Sequence, residues 1–132
     1  MYRRMVLCVT DATPEEVVNV AAKLCSRETK VIVLNVVRVL SELVKKDAAE
    51  RFAWIIDALN REGIDAGLEL VEATEVGGAI VSFAKKNDCD IIVTGTIPKK
   101  GILGAISENV TDYILKNAPC TVVVVKRAEE GK

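Results

Sequence analysis

Short runs of apolar residues alternate along this chain with segments in which apolar residues recur at helical spacing. Five strand-like runs are separated by four segments of helical pattern, and each connection is long enough for a helix to cross between parallel strands. Such alternation is typical of a parallel sheet covered by helices on both faces. We therefore predict an α/β fold: a single doubly wound (Rossmann-like) domain over residues 1–127, with a five-stranded parallel sheet in the order 3-2-1-4-5, and a polar tail at 128–132.

The strand-like runs are of two kinds. Most are continuous and rich in valine and isoleucine, which is typical of strands buried on both faces. The third alternates apolar and polar residues from Ile64 to Val71 and predicts a strand with one solvated face at an edge of the sheet. The predicted strands are residues 5–10, 31–37, 64–71, 90–95 and 121–125.

Capping signals mark where the first two helices begin and end. Thr13 is the predicted N-cap of the first helix, with Pro14 at the first helical position and Glu16 closing a capping box. Ser41 caps a second, longer helix. That helix ends at Gly63, a glycine that we expect in the left-handed conformation.

The apolar stripes of the helices predict which side chains reach the core. The stripe of the second helix leaves Trp54 to one side, either as a flank contact or as a partner surface. The third helix starts with Thr-Glu-Val-Gly-Gly, which fits a helix start better than a turn that cradles phosphate. The predicted inward residues are Val17, Val18, Ala21, Leu24 and Cys25 in the first helix, Val44, Ala48, Phe52, Ile55 and Leu59 in the second, Val76, Ile80 and Phe83 in the third, and Val110, Tyr113 and Ile114 in the fourth.

The chain has no histidine, and this excludes several kinds of active site. Ser-His-Asp and Cys-His pairs, histidine-containing zinc sites and imidazole bases all need that residue. A balance of 18 basic and 19 acidic residues leaves no basic excess for nucleic acid. The cysteines form no C-x-x-C pair; we expect small buried hydrophobes, with raised thiol pKa values at Cys8 and Cys120, in a reduced, cytoplasmic protein. We predict neither a membrane span, which needs about 20 apolar residues, nor a signal peptide.

In a doubly wound sheet the ligand cleft lies beyond the carboxyl ends of the strands, where the strand order reverses. In this chain that position corresponds to the loops after the first and fourth strands. The first loop offers Asp11, Ala12 and Thr13, and the second runs from Gly95 to Gly104. Neither loop carries the G-x-G-x-x-G fingerprint or a Walker A lysine. The residues alone therefore predict an anion or nucleotide cleft without naming its ligand.

Several stretches of the chain resemble one known family. Residues 90–96, Asp-Ile-Ile-Val-Thr-Gly-Thr, are similar to the fourth strand and following turn of the universal stress protein family. Residues 110–125, with Tyr-Ile-Leu-Lys-Asn-Ala-Pro-Cys before the last strand, are similar to its final helix and strand. The first strand, ending in Thr10-Asp11, matches its opening strand and aspartate. The resemblance covers roughly residues 4–127 and implies the fold predicted above.

Nucleotide-binding members of that family carry G-x₂-G-x₉-G-Ser/Thr in the fourth loop and its helix. This chain keeps the first glycine, Gly95, but has Pro98, Glu108 and Asn109 at the other positions. Pro98 has no N–H to donate to a phosphate oxygen, and Glu108 brings a negative charge to the place expected for the triphosphate. The resemblance therefore implies a degenerate site that does not bind ATP in the family manner. No cofactor is predicted, and ATP with Mg²⁺ is the alternative.

The resemblance also implies roles for single residues of the cleft. Asp11 matches the position that contacts adenine or ribose in ATP-binding members, and Val36 matches a residue that lines the base pocket. Asp11 has a second interpretation, in which it only forms the turn before the first helix. Lys99 and Lys100 either attract an anion or keep the fourth loop solvated. The candidate ligand-binding residues are Asp11, Val36, Gly95, Thr96, Lys99, Gly101 and Asn109.

The overall hypothesis is a small regulatory protein. No acid and base converge in the sequence, so we expect no enzymatic activity. The last strand contains Val122, Val123, Val124 and Val125, an uncharged apolar edge, and the resemblance implies that it pairs with the same strand of a second copy. The first hypothesis is thus a cytoplasmic regulatory or stress-response homodimer. The alternatives are an ATP- or AMP-binding family member and a regulatory domain of a membrane transporter; a protein partner or a small-molecule ligand for the cleft is left open.

Overall fold

The computed structural model describes residues 1–95 and 108–126, and the sheet within them has the predicted topology. Its strands are β1 (Arg4–Cys8), β2 (Lys30–Val37), β3 (Asp65–Glu72), β4 (Ile91–Gly95) and β5 (Thr121–Val125). All neighbouring strands are parallel, in the order β3-β2-β1-β4-β5. The predicted fold class and strand order are therefore confirmed.

Helices cover both faces of this sheet, because each βαβ crossover places one helix on a face. They are α1 (Glu15–Lys23), α2 (Glu42–Arg51), α3 (Ala53–Arg61), α4 (Val76–Lys86) and α5 (Glu108–Asn117). The buried residues of α1, α2 and α3 join one apolar cluster, which we call the first core face. Those of α4 and α5 join the other cluster, the second core face.

The central strand β1 is buried between the two core faces. Met5 and Leu7 contact the first core face, whereas Val6 and Cys8 contact the second. All four are at most 2% exposed. This double burial explains why β1 has a continuous apolar sequence instead of an alternating one.

The two edges of the sheet differ in exposure. In β3 the side chains alternate, with exposed Asp65, Gly67 and Glu69 between half-buried residues, as the sequence predicted. In β5 the exposed Thr121 precedes four half-buried valines. Both strands pair with one neighbour in the sheet and leave their second edge without a strand among the described residues.

The predicted long second helix is wrong in one respect, because it consists of two helices. Phe52 has φ −104° and ψ 7°, which ends α2 and begins α3. The apolar stripe nevertheless continues across the break, since Ala48, Phe52 and Ile55 are all buried in the first core face. Both predicted caps are confirmed: Ser41 Oγ accepts a hydrogen bond from the Val44 N–H at 3.1 Å, and Gly63 has φ +80°.

Two aromatic side chains lie at the surface. Trp54 is 42% exposed on α3, off the buried stripe as predicted. Tyr113 was predicted to point inward but is 43% exposed. It lies against α4, where a Cβ on Gly77 would be 3.0 Å from Tyr113 Cδ1. Gly77 therefore allows α4 and α5 to approach closely, and the Gly-Gly stretch lies in the first turn of a helix, as expected.

No helix in the described part of the chain has the length and apolar character that crossing a membrane requires.

Candidate functional site

The carboxyl ends of β1 and β4 meet at the same edge of the sheet, where the strand order reverses. Leu7 of β1 is in register with Val93 of β4, so the two strands end side by side. Asp11 follows β1 in an exposed position, and Gly95 is the last residue of β4. The structure thus places Asp11 and Gly95 at the same edge of the sheet, where the rule for open α/β sheets expects the cleft.

The loop after β1 is closed by hydrogen bonds within itself. The Thr10 N–H donates to Thr13 Oγ1 at 2.8 Å, and the Ala12 N–H donates to Thr10 Oγ1 at 3.1 Å. The Thr13 N–H donates to the Thr10 carbonyl oxygen at 3.1 Å. The predicted N-cap role of Thr13 is therefore wrong: Pro14 is the N-cap, and the Thr13 hydroxyl serves the preceding turn instead of the helix.

The Asp11 carboxylate is engaged by an arginine from another element. Arg51, the last residue of α2, forms an ion pair with Asp11 through its Nη1. Arg51 Nε also donates to Asp47 Oδ2 at 2.8 Å, one helical turn earlier. Burial of Arg51 by itself lowers its pKa, but the hydrogen bonds and charges of Asp11 and Asp47 raise the pKa above its usual value. The guanidinium is thus held between two carboxylates.

Arg51 also contacts the aromatic residue that follows it in the chain. Its guanidinium carbon lies 5.0 Å from the centre of the ring of Phe52, the residue between α2 and α3. Such cation–aromatic contacts add about 0.5–1 kcal/mol at exposed sites. The buried ring of Phe52 thus lies beneath the arginine that reaches Asp11. Arg51 was not predicted as a site residue from the sequence, where the i,i+4 spacing of Asp47 and Arg51 was the available signal.

Gly95 has a packing role at this edge. A Cβ on Gly95 would lie 3.0 Å from Val17 Cγ2, in the first turns of α1, and 3.7 Å from the Val125 carbonyl oxygen. Val17 is only 1% exposed, so it has little room to move. Glycine at the end of β4 thus allows α1 to cross closely, whether or not a ligand is bound.

The predicted base-pocket residue Val36 lies near the carboxyl end of β2 but on the second core face. Arg51 belongs to the helix pair on the opposite face, so Val36 and the Asp11–Arg51 pair are on different sides of the sheet. Its neighbour Asn35, which interrupts the apolar run of the second strand, is a buried polar residue. Asn35 Nδ2 donates to the Val9 carbonyl oxygen at 2.9 Å and ties the ends of β1 and β2 together.

Asn109 lies apart from Asp11, on a groove between α4 and α5. It lines a depression of about 250 Å³ together with Glu75, Gly77 and Tyr113. An adjoining depression of about 510 Å³ continues along α4 past Ser82 and Lys85. Among the described residues the two depressions are lined by α4, the segment before it and α5, not by the loop after β1.

The predictions for Thr96, Pro98, Lys99, Lys100 and Gly101 concern residues outside those that the structure describes, as does the prediction for the side chain of Glu108. Within the described ranges, no group of three cysteine or acidic residues could hold a metal ion.

The cysteines show the predicted pKa directions. Burial raises the pKa of the Cys8 thiol to about 12 and raises that of Cys120 as well. Burial, followed by the charge of Cys120, raises the pKa of Cys89 to about 11. These thiols are protonated at neutral pH, whereas a catalytic cysteine nucleophile has a lowered pKa.

Comparison with known proteins gives a consistent family assignment. The model of the universal stress protein family matches residues 1–126. A universal stress protein of Methanocaldococcus jannaschii is 32% identical over 91 residues, which is 69% of this chain and 53% of the relative. The chain therefore spans about half the length of that curated relative.

Solved structures show the same fold. The hypothetical protein MJ0577, whose biochemical function was assigned from its structure, superposes with a TM-score of 0.80 at 21% identity over 98% of this chain and 99% of the other. The universal stress protein from Archaeoglobus fulgidus in complex with dAMP has a TM-score of 0.74 at 21% identity, over 95% of this chain and 98% of its own. At such identities the likeness concerns the fold alone.

Proposed function

This chain belongs to the universal stress protein family, and we propose that it is a cytoplasmic regulatory or stress-response homodimer without enzymatic activity, whose cleft does not bind ATP in the manner of nucleotide-binding members. The observation that carries the proposal is the ion pair between Asp11 and Arg51. Asp11 is the carboxylate that the family resemblance assigns to the nucleoside. A nucleoside that used it would first have to displace the guanidinium of Arg51.

The ion pair by itself can lower the affinity for a nucleotide only slightly. The Arg51 side chain is 36% exposed and that of Asp11 is 65% exposed, so solvent screens the pair. Exposed pairs contribute at most about 1 kcal/mol, and displacing one lowers the affinity of a ligand by roughly fivefold. The larger loss is therefore expected from the fourth loop, where Pro98 offers no N–H to a phosphate.

The start of α1 adds to the case against phosphate binding. A helix N-terminus binds anions through free backbone N–H groups and its positive dipole end. Here Pro14 has no N–H, and the N–H groups of Ala12 and Thr13 are used within the loop. Glu15 and Glu16 place two negative charges in the first turn. The dipole of α1 is thus already complemented by carboxylates of the protein.

A second candidate function is binding of ATP or AMP in the same cleft. It is favoured by the similar fold of the dAMP-bound protein from Archaeoglobus fulgidus and by the position of Asp11 beside the end of β4. In this alternative a nucleoside hydroxyl replaces Arg51 on Asp11, and Arg51 turns toward a phosphate.

Titration calorimetry with ATP and Mg²⁺, and with AMP, separates the two candidates. We expect no binding to the parent chain. Combined Pro98→Gly, Glu108→Gly and Asn109→Ser substitutions restore the motif and are expected to restore ATP binding. Adding Arg51→Gln to this triple variant frees Asp11 and is expected to tighten binding by up to about fivefold.

Arg61→Gln provides the matched control, because Arg61 is an exposed arginine in the last turn of α3. In the triple variant it removes the same charge and is expected to leave the affinity unchanged. Binding of ATP to the parent chain that is lost in Asp11→Ala would overturn the first proposal in favour of the second.

The homodimer is proposed on the edge strand β5. Its half-buried valines carry no internal charge, and its outer backbone groups face no other strand among the described residues. An apolar edge of this kind invites pairing with another chain. Two copies related by a twofold axis would join their β5 strands antiparallel and form a continuous sheet of ten strands.

Proline substitution on β5 tests this interface. Successive amides of a strand point in opposite directions, so one of Val123 and Val124 directs its N–H to the open edge. We expect Val123→Pro or Val124→Pro to give monomer or precipitate in size-exclusion chromatography with light scattering. The valine-to-threonine variants keep the N–H and are expected to remain dimers. If both proline variants fold and both remain dimeric, the interface lies elsewhere.

A further inference from the structure

Two of the cysteines lie at the amino ends of the adjacent strands β4 and β5. The register pairs Ile91 with Thr121; Cys120 immediately precedes Thr121, and Cys89 lies two residues before Ile91. Neighbouring strands are about 4.8 Å apart, so the segments that enter β4 and β5 start side by side. A disulfide needs Cα atoms about 4.4–6.8 Å apart, a separation of the same order.

Both side chains also point to the same side of the sheet. Cys89 is buried in the second core face and is 6% exposed, whereas Cys120 packs against that face and is partly exposed. The charge of Cys120 contributes to the raised pKa of Cys89, which agrees with neighbouring sulfur atoms. The register and the shared cluster therefore place two free thiols at the same end of adjacent strands and on the same face of the sheet.

The other two cysteines have no such partner in their surroundings. Cys25 is half-buried at the end of α1 and packs on the first core face, across the sheet from this pair. Cys8 shares the second core face but lies near the level of Thr94, at the opposite end of β4. A reagent that reacts at Cys25 would therefore leave an adduct there.

We propose that Cys89 and Cys120 form a reversible intramolecular disulfide when the protein meets a low-molecular-weight disulfide, and that this bond fastens the edge strand β5 to the sheet. The two thiols are oxidised and the small disulfide is reduced to two thiols. This modification site is independent of the cleft and of nucleotide binding.

The reaction proceeds in two exchange steps. The more exposed Cys120 loses its proton to solvent, and its thiolate attacks the small disulfide, which forms a mixed disulfide and releases the first small thiolate. The Cys89 thiolate then attacks the Cys120 sulfur, closes the Cys89–Cys120 bond and releases the second small thiolate. The two protons lost by the cysteines protonate the two released thiolates.

Closure would join residues 89 and 120 and thereby constrain the unfolded chain between them. A loop of this length gives a marked entropic stabilisation, and we expect the Tm to rise by roughly 5–10 °C. The bond would also prevent the amino end of β5 from separating from β4.

The test uses the full chain with Cys25→Ser, so that Cys25 forms no adduct. One equivalent of 2,2′-dithiodipyridine is added to the folded protein, and the released thiopyridone is followed by its absorbance. Closure is expected to release two thiopyridones per reagent and to leave a mass lower by about 2 Da, with the peptides of Cys89 and Cys120 linked. Dithiothreitol is expected to reverse the change.

Variants at the second thiol distinguish closure from simple labelling. With Cys89→Ser or Cys89→Ala, we expect one thiopyridone and a pyridyl adduct that stays on Cys120. The proposal is overturned if that adduct also persists when Cys89 is present, if neither thiol reacts in the folded protein, or if the oxidised form melts below the reduced form.

Discussion

The two ends of the sheet use their polar groups in different ways. At the amino end, side chains bind distant parts of the backbone: Asp90 accepts hydrogen bonds from the N–H groups of Arg3 and Arg4 at 2.9 and 3.1 Å. Thr29 is 1% exposed and donates to the Tyr2 carbonyl oxygen at 2.6 Å. These contacts join segments far apart in the chain. These contacts therefore hold the amino end of the sheet together.

At the carboxyl end, one buried contact joins two strands, from Asn35 Nδ2 to the Val9 carbonyl oxygen, and the other polar contacts are local or exposed. The threonine bonds of the loop after β1 span two or three residues, and the pair of Asp11 and Arg51 is long-range but exposed. The exposed pair of Asp11 and Arg51 can be broken at little cost, whereas loss of a hydrogen bond made by the buried Thr29 or Asn35 side chain is costly. The difference indicates that the surface of the carboxyl end can vary with function while the amino end maintains the fold.

The largest expected effect comes from ionising the buried Cys8 thiol in the central strand β1. Burial raises the pKa of Cys8 in β1 from an ordinary value of 9.0 to about 12. Well below pH 9 the thiol is protonated in both the folded and the unfolded chain, so this group does not lower the free energy of unfolding. As the pH rises toward 12, the unfolded chain loses the proton first, and folding becomes less favourable. We expect a loss of about 2–3 kcal/mol at pH 11 from this group.

Urea unfolding between pH 8 and pH 11 measures this loss, and Cys8→Ala should remove most of it. The comparison uses the change with pH, since the smaller side chain also lowers stability at every pH. Cys25→Ser is the control: its thiol is half-buried, and we expect it to alter the pH dependence less. Equal pH dependence in the Cys8→Ala and parent chains would contradict the prediction.

Asp90→Ala removes the carboxylate that binds the backbone of Arg3 and Arg4 at the amino end of the sheet. Two backbone N–H groups lose a charged acceptor, and hydrogen bonds to charged groups contribute about 1.5–3 kcal/mol. We expect the free energy of unfolding to fall by about 2 kcal/mol because the site is partly solvated. Asp65→Ala is the matched control at the same end of β3, where the carboxylate makes only an exposed 3.9 Å ion pair with Lys30. A similar loss in both variants would remove the distinction between structural and surface carboxylates.

Gly95→Ala tests whether the carboxyl end also has a structural demand. The added methyl would contact Val17 Cγ2 at 3.0 Å, and overpacking of a buried site costs about 1 kcal/mol or more. We expect Gly95→Ala to lower the free energy of unfolding by about 1 kcal/mol, as measured by thermal or urea unfolding. In a Val17→Ala background the same substitution is expected to cost less. A double-mutant cycle with no coupling between the two positions would show that Val17 is not the reason for the glycine.

The smallest expected effect is that of Arg51→Gln. The pair with Asp11 is exposed, so we expect the free energy of unfolding to change by less than about 0.5 kcal/mol, and the same for Asp11→Asn. Urea unfolding at low and at high salt checks this. A loss above about 1.5 kcal/mol would make the pair part of the fold and would remove the contrast between the two ends.

Much of the fold follows from patterns that act locally. Strand burial explains the continuous apolar run of β1, and the one-sided exposure of β3 explains its alternation, so the edge position of β3 could be predicted from its own residues. The continuous valines of β5 do not by themselves indicate an edge strand. The break at Phe52 could not, because the apolar stripe continues across it with Ala48 and Ile55 on the same face. Thr13 was assigned to the helix because its competing partner, the Thr10 N–H, is visible only once the turn has formed.

The candidate site was less predictable because it depends on long-range contacts. Topology places Asp11 beside the end of β4, and that much follows from the strand order. Its partner Arg51 lies 40 residues away on the charged face of α2, where the sequence pattern shows only a solvated helix. The position of Asn109 between α4 and α5 likewise depends on the packing of two helices, not on its place in a motif.

Gly95 also bears on how readily this cleft could change its ligand during evolution. Because Val17 occupies the space beside it, the glycine would persist in a lineage that had no use for nucleotides, and its presence says little about ligand history. The same packing constraint keeps the first glycine of the motif in place should nucleotide binding be regained. Three substitutions, at Pro98, Glu108 and Asn109, would complete the motif, and the first position would already be in place.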